Sequence, residues 1–131
     1  LNCISFIETY LQQRNFMSEE KYVYHIIPKI EWELAKQEGA YSPLSIQTEG
    51  FIHCSILSQV LGSANLFFKG QTDLQLLKIE VEKLQEKLVY ENTTGGTELF
   101  PHLYGMLNLD AVINVYNLDT NAAGDFVLPE E

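Results

Sequence analysis

Short runs of β-branched and aromatic residues, several with apolar and polar positions in alternation, predict the strands of this chain. We predict strands at Tyr22–Ile27, Phe51–Cys54, Leu74–Glu80, Lys87–Glu91 and Ala111–Leu118. Only short helical segments separate them, whereas a doubly wound parallel sheet needs long crossover helices. The pattern therefore favours an α+β domain with a curved, mixed and largely antiparallel sheet.

Helical spacing of apolar residues is clearest over Lys29–Glu38, which Gly39 follows as a stop signal. The residues predicted to face the core from this helix are Ile30, Trp32, Leu34 and Ala35. A second helix is predicted at Ser55–Leu61, with Ser55 as its N-cap. A short third helix would carry Val81, Leu84 and Leu88. The remaining connections are predicted as loops or turns at Tyr41–Gly50, Gly62–Gly70, Asn92–Glu98 and Phe100–Gly105.

The length of 131 residues fits one domain, because domains usually contain about 100–200 residues. The stretch before Lys21 has weaker patterning than the rest. We interpret residues 1–20 as an N-terminal extension and residues 21–131 as a single domain.

The charge balance argues against nucleic acid as a partner. Eighteen acidic residues face eight basic ones, giving a net charge of −10, and Arg14 is the only arginine. Nucleic-acid binding depends on neutralising phosphates with lysine and arginine. No apolar run approaches the roughly 18 residues of a membrane helix. The two cysteines, Cys3 and Cys54, are too few for a disulfide-stapled domain, and no secretory signal is visible, so we expect a cytoplasmic protein.

The candidate chemistry lies at the histidines, His25, His53 and His102. Each occupies an apolar segment, and histidine is the side chain best suited to proton transfer near neutral pH. A core histidine bonded to the backbone is the alternative for each one, and His25 taken alone favours it. A buried polar group without a partner costs about 1–3 kcal/mol, so one shared polar pocket explains all three more economically. We expect His53 nearest its centre.

Strand parity limits what His53 can pair with. Phe51, His53 and Ser55 would share one face, and Ile52 and Cys54 the other. This arrangement disfavours a Cys54–His53 catalytic pair and permits a His53–Ser55 pair. Three histidines could also bind zinc in a metal-dependent hydrolase, but the sequence has no local ligand spacing such as HxH. We therefore expect no metal.

Two segments carry a family resemblance: Glu49-Gly50-Phe51-Ile52-His53-Cys54-Ser55 and Phe100-Pro101-His102-Leu103-Tyr104-Gly105. With Tyr24-His25-Ile26, Gln59 and Glu91, they make residues 21–129 similar to the domain of unknown function family 952. That family is grouped with the ADP-ribosyltransferase-like fold. The resemblance implies a split, curved sheet around a cleft that holds NAD in active relatives.

The resemblance also implies roles for individual residues. His25 would contact a ribose hydroxyl of NAD, while Glu49 and Glu91 would steady an oxocarbenium-like sugar. Apart from the resemblance, the shared pocket predicts that His53 and His102 complete the catalytic set and that Ser55 and Tyr104 contact the ligand. The sequence departs from the related tRNA 2′-phosphotransferases because it has no arginine after Arg14 to clamp phosphate.

The sequence thus predicts a pocket for a small nucleotide or sugar ligand, with NAD-dependent ADP-ribosyl transfer, or related nucleotide or sugar transfer, as the leading reaction. A non-catalytic binding module on the same fold is the alternative, favoured by the missing arginines. Binding of NAD, ADP-ribose or nucleotides, followed by a test for nicotinamide release, would separate the two.

Overall fold

The structure is a computed structural model that describes residues 20–130, so most of the predicted N-terminal extension lies outside the described residues. Eight strands occur in it: β1 (Tyr22–Pro28), β2 (Ala40–Tyr41), β3 (Ile52–His53), β4 (Leu74–Glu80), β5 (Lys87–Glu91), β6 (Phe100–Tyr104), β7 (Leu107–Asn108) and β8 (Val112–Leu118). Three α-helices separate them: α1 (Lys29–Glu38), α2 (Ser45–Thr48) and α3 (Val60–Phe67). The predicted α+β class is confirmed.

Two three-stranded sheets form the framework. The first sheet has the order β1-β4-β8 and the second sheet the order β3-β6-β5, while β2 and β7 form a separate pair. Within residues 20–130, every pair of named strands is antiparallel. The two sheets meet at one isolated bridge, where Tyr24 and Ser55 exchange backbone hydrogen bonds of 2.7 and 2.8 Å.

Strands β1 and β4 of the first sheet bury residues on both faces, whereas the edge strand β8 is partly exposed. On β4, Leu77 and Ile79 belong to a core cluster that also contains Trp32, while Leu74 and Leu76 belong to a second cluster on the opposite face. The cluster with Leu77 also takes Ile52, Cys54 and Leu103 from one face of the second sheet. The other face of the second sheet is therefore left for polar groups.

Helix α1 keeps its predicted bounds but buries a narrower stripe than expected. Trp32 and Ala35 are buried, whereas Ile30 is 70% and Leu34 51% exposed. The predicted inward orientation of Ile30 and Leu34 is wrong. Helix α1 packs against the core through one narrow stripe, formed by Trp32 and Ala35, which are three positions apart. Gly39 ends the helix in the left-handed region at φ 85°, donating its N–H to the Ala35 carbonyl.

Several predicted connections are ordered elements instead. Gly62 lies within α3, because Val60, Ser63 and Ala64 at helical spacing are buried. The helix expected from Ser55 begins later, as a 3-10 turn at Leu57–Gln59, so Ser55 is not its N-cap. The expected helix through Val81, Leu84 and Leu88 is a 3-10 turn, Val81–Lys83, followed by β5, and the loop predicted at Tyr41–Gly50 contains α2.

The largest correction concerns Phe100–Gly105, predicted as a turn and found as β6, the central strand of the second sheet. Pro101 can occupy this strand because the N–H and C=O groups of one antiparallel residue point to the same side. Its carbonyl accepts a 2.9 Å hydrogen bond from Cys54 N, just beyond the end of β3. The missing N–H of Pro101 thus points toward the end of a short edge strand, where it interrupts little pairing.

Candidate functional site

The centre of the candidate site is a cross-strand pair of histidines on the second sheet. His53 of β3 lies directly opposite His102 of β6. Directly opposed side chains in an antiparallel pair project from the same face and touch. Their rings meet with His53 Nδ1 3.1 Å from His102 Nε2. Sheet register therefore joins two residues that are 49 positions apart in the chain.

Glu91 anchors the other end of His102. The Glu91 Oε1 atom lies 3.0 Å from His102 Nδ1, and His102 is only 2% exposed. The hydroxyl of Tyr104 donates a hydrogen bond to the same carboxylate oxygen. This bond lowers the pKa of Glu91, and the bond from His102 lowers it further, so the carboxylate is ionised at neutral pH.

We call Glu91, His102 and His53 the relay, and with His102 neutral their contacts give it one direction of hydrogen bonding. An ionised carboxylate can only accept, so His102 carries its proton on Nδ1. With His102 neutral, its Nε2 then accepts the Nδ1–H of His53. The remaining nitrogen, His53 Nε2, is left with an available lone pair. It is buried and has no hydrogen-bond partner among the residues that the structure describes.

The surroundings of His53 keep it neutral. Burial lowers its pKa to about 4, and the neighbouring His102 and His25 act in the same direction. Its ring packs against Phe100, with centroids 5.1 Å apart, and near the edge of Phe67 at 5.7 Å. At pH 7 the ring is therefore a proton acceptor in an aromatic setting.

His25 supports the relay from β1 and does not join it. Its Nδ1 donates to the backbone carbonyl of His53 at 2.7 Å, and its Nε2 lies 3.4 Å from the Tyr41 hydroxyl. Burial lowers the pKa of His25 to about 4, although the bond to the carbonyl opposes this shift. Both ring nitrogens are thus engaged, and His25 holds the backbone of the residue that carries the free nitrogen.

The three histidines line a cavity of about 1210 Å³ with strongly aromatic walls. The aromatic side chains on the wall are Tyr24, Phe51, Phe67, Phe68, Phe100 and Tyr104. Phe51 also stacks face to face on His102, with centroids 3.9 Å apart and ring planes within 7°. A cavity of this size and composition can enclose a small organic ligand with one or more rings.

The charged groups on the cavity wall are both carboxylates, Glu49 and Glu98; no lysine or arginine within residues 20–130 lines it. Glu98 is held by the buried amide of Gln59, whose Nε2 donates to it at 3.2 Å and to the Leu99 carbonyl at 2.8 Å. Asn92 orders the same loop by accepting from the backbone N–H groups of Thr94 and Gly96. Glu98 is thus a positioned carboxylate.

The structure brings most of the predicted site residues to this one cavity. His25, His53, His102, Glu49, Ser55 and Tyr104 all line it. Glu91 does not, and it reaches the cavity only through His102 and Tyr104.

Two predicted residues have their polar groups engaged inside the protein. The Ser55 hydroxyl lies 3.1 Å from that of Ser63, and the Tyr104 hydroxyl donates to Glu91. The predicted strand parity is confirmed, because Cys54 is buried in the core on the face opposite His53. Ser55, however, pairs with Ser63 rather than with His53.

Sequence reasoning missed several residues that shape the site. Tyr41 partners His25, Glu98 adds the second wall carboxylate, and Phe67 covers the edge of His53. Gln59 was noted only as part of the family pattern, without its role in holding Glu98. Loop residues such as Glu98 carry no periodic signal, so only their spatial position shows their relevance.

Two negative findings concern metals and membranes. Across residues 20–130, no group of three or more His, Cys, Asp and Glu side chains is arranged to hold a metal ion. Both nitrogens of His25 and both of His102 are already committed to protein partners. No helix in this part of the chain is long and apolar enough to cross a membrane.

Comparisons with known proteins agree with this geometry at the level of the family and the fold. Residues 26–115 match the family described as protein of unknown function (DUF952). The X-ray structure of protein CC0527 from Caulobacter crescentus is 36% identical, with a TM-score of 0.73 over 81% of this chain and 93% of that one. The solution NMR structure of CC0527 is 37% identical, with a TM-score of 0.70 over 80% and 90% of the two chains. No protein of curated function matches the chain.

Proposed function

The chain belongs to the DUF952 family, and we propose that it is an enzyme of ADP-ribosyltransferase type that binds a nucleotide- or sugar-type ligand and transfers its glycosyl group. One observation carries the proposal: the relay from Glu91 through His102 ends at His53, whose Nε2 is unpartnered within residues 20–130 and which lines the cavity. A carboxylate–imidazole chain of this kind sets the tautomer of a general base. We also propose that the protein is cytoplasmic, which its content of only two cysteines supports.

In the proposed reaction, the bond between the anomeric carbon and the leaving group breaks, and the leaving group keeps the electron pair. A hydroxyl oxygen of water or another acceptor forms the new bond to that carbon. The acceptor's proton passes to His53 Nε2, and because this atom is buried in the structure, the step requires the His53 ring or its packed neighbours to shift. As that proton arrives, the Nδ1 proton of His53 passes to His102 Nε2, 3.1 Å away.

The relay explains how a histidine with a low pKa can act as a base. His53 alone disfavours a positive charge, because burial and the two other histidines oppose it. Passing a proton on to His102 places the charge beside the Glu91 carboxylate, 3.0 Å from His102 Nδ1. The imidazolium–carboxylate pair then stabilises the charge that forms during the reaction.

The wall carboxylates support the same chemistry. Glycosyl transfer passes through an oxocarbenium-like sugar that carries positive charge. Glu49 and Glu98 supply negative charge to the cavity, and Glu98 is held in place by Gln59. In this proposal Glu49 and Glu98 stabilise the sugar, and Glu91 acts through the relay.

NAD is the ligand that the family resemblance implies, and the site suits only part of it. The aromatic walls suit its rings, and the carboxylates suit its ribose hydroxyls as hydrogen-bond acceptors. Its pyrophosphate finds no lysine or arginine on the wall within residues 20–130. This misfit favours the second candidate function, a binding module without transfer chemistry.

A two-stage experiment tests the proposal. A thermal-shift screen of NAD, ADP-ribose, nucleotides and nucleosides identifies ligands, and release of the nicotinamide or nucleobase measures turnover. We expect binding and turnover in the wild type, and binding with greatly reduced turnover in His53→Gln. The exposed Glu82→Gln variant, which lies off the cavity wall, is the matched control for handling and folding. Binding without turnover in the wild type would establish the binding module instead.

A further inference from the structure

We propose that the cavity takes a phosphate-free glycoside, neutral or positively charged, such as a nucleoside, and discriminates against its phosphorylated form. This inference rests on the proposed function, which it narrows to a substrate class. It starts from the charges on the wall. Glu49 and Glu98 are its charged residues, and the chain as a whole carries −10. A phosphate group brought into the cavity would meet like charge without a compensating cation.

The histidines do not supply the missing positive charge. Burial keeps His25 and His53 neutral at pH 7, with pKa values of about 4. His102 uses Nδ1 on Glu91 and Nε2 on His53, so neither nitrogen is available to an anion. His53 Nε2 is buried and, as the unprotonated nitrogen, supplies no N–H donor to a phosphate oxygen.

Backbone N–H groups at the start of α3 are the other place where an anion could bind. Ser58 and Gln59, just before this helix, line the cavity. The Gln59 side chain, however, binds the Glu98 carboxylate at 3.2 Å, which brings a negative charge beside the helix start. A ligand phosphate would have to approach that carboxylate.

The wall suits a ligand that donates hydrogen bonds. The two carboxylates accept from hydroxyl groups, and Phe51, Phe100 and Tyr104 offer aromatic surface to a base or a pyridinium ring. A riboside provides hydroxyl donors and a flat ring without a phosphate. A pyridinium riboside adds a positive charge that the carboxylates favour.

The test compares ligand pairs that differ only by phosphate. Nicotinamide riboside is measured against nicotinamide mononucleotide, and adenosine against AMP, by calorimetry with the full chain at low ionic strength; NAD and ADP-ribose complete the series. We expect each riboside to bind at least about tenfold more tightly than its monophosphate. This difference in affinity between riboside and monophosphate, the phosphate gap, should narrow as salt is added, because salt screens the charge of the carboxylates.

A matched variant shows whether the wall carboxylates cause the discrimination. The double variant Glu49→Gln/Glu98→Gln keeps the shape of both exposed side chains and should narrow the gap by strengthening monophosphate binding. The Glu82→Gln control, off the cavity wall, should leave the gap unchanged. An unchanged gap in the double variant would remove the carboxylates as its cause and overturn the argument.

The outcomes separate this inference from the proposed function. Equal or tighter binding of the monophosphates or NAD, with turnover, would overturn the inference and leave the transfer activity standing. Preferential riboside binding without cleavage of the glycosidic bond would support the inference and contradict the transfer activity. Failure of every ligand in the series to bind at millimolar concentration would overturn both.

Discussion

The two sheets of this domain have the same number of strands, but the side chains that their central strands bury differ in polarity. The central strand of the first sheet, β4, buries Leu74, Leu76, Leu77 and Ile79. The central strand of the second sheet, β6, buries Leu103 on one face and His102 on the other. Both faces of the first sheet pack against core clusters, whereas the second sheet turns one face toward the cavity.

The difference shows how a small domain accommodates buried polar groups. A buried imidazole costs free energy unless its nitrogens are bonded, and the pairing of β3, β6 and β5 supplies those partners in register. The first sheet contributes stability, the supporting residue His25, and Tyr24 and Ile26 on the cavity wall. The second sheet contributes the relay.

Replacing His53 should affect activity far more than replacing His25. His53→Gln removes the proposed general base, so turnover of a glycoside substrate should fall by about 10²–10⁴. His25→Gln loses only the groups that hold the His53 backbone and the Tyr41 hydroxyl, so its turnover should fall less. Steady-state kinetics with both purified variants measure the ratio. Equal losses would remove the functional distinction between the two sheets.

A void made by truncating a buried side chain of the first sheet, away from His25, should reduce stability and spare activity. Ile79 is fully buried in β4 and lies opposite Val23, so Ile79→Ala should lower the free energy of unfolding by about 2–5 kcal/mol. Leu103→Ala in β6 is the matched variant, since Leu103 is also buried and lies next to His102. Urea denaturation and turnover per folded molecule are the measurements. If Ile79→Ala reduced turnover as much as Leu103→Ala does, the two sheets would not have separate roles.

Acid should destabilise the protein through its neutral histidines. In the unfolded chain histidine takes up a proton near pH 6.5, whereas folded His25 and His53 do so only near pH 4. Between these values the unfolded state binds more protons, so stability falls as the pH decreases, by at most about 1.4 kcal/mol per pH unit for each residue. Glu91, whose pKa is lowered by folding, adds a further loss below its ordinary range.

Denaturation curves at pH 7, 6 and 5 measure this effect, and the His25→Gln/His53→Gln double variant should show a shallower dependence on pH. A wild-type stability that does not change between pH 7 and 5 would mean that His25 and His53 take up protons at the same pH in the folded and unfolded states. Their assignment as neutral rings down to about pH 4 would then be wrong.

The smallest effect concerns Ser55, where the two sheets meet. Ser55→Ala leaves the buried Ser63 hydroxyl without its 3.1 Å partner, so stability should fall by about 1 kcal/mol. The double variant Ser55→Ala/Ser63→Ala should lose less than the sum of the single losses. Ligand affinity measured in parallel tests the predicted contact of Ser55 with the ligand. If the Ser55→Ala variant binds the ligand as tightly as the wild type does, Ser55 has a purely structural role.

Local patterns along the chain were sufficient to predict the elements whose residues make regular, repeated contacts. Helix α1 and strand β4 have their predicted bounds, and β1 and β8 each differ from theirs by one residue. The two faces of β3, with Cys54 opposite His53, also followed from strand parity. In these segments the apolar spacing and the stop signals agree with the final packing.

The pattern was misleading where tertiary pairing overrides local preference. Pro101 and Gly105 predicted a turn, but β3 and β5 on either side hold Phe100–Tyr104 as a central strand. Gly62 predicted a break, but the burial of Ser63 and Ala64 continues the helix around it. Propensity contributes only about 1 kcal/mol per residue, so pairing and burial outweigh it.

Residue types and their spacing are local properties, and they are sufficient to predict an α+β domain whose histidines lie in structured, apolar segments. The hydrogen-bond partners of each histidine nitrogen depend instead on how distant segments pack together. Register across β3, β6 and β5 places His53 against His102 and His102 against Glu91. Packing between the sheets commits His25 to a backbone carbonyl instead. Pairings between residues tens of positions apart follow from the alignment of whole strands, which no short segment specifies alone.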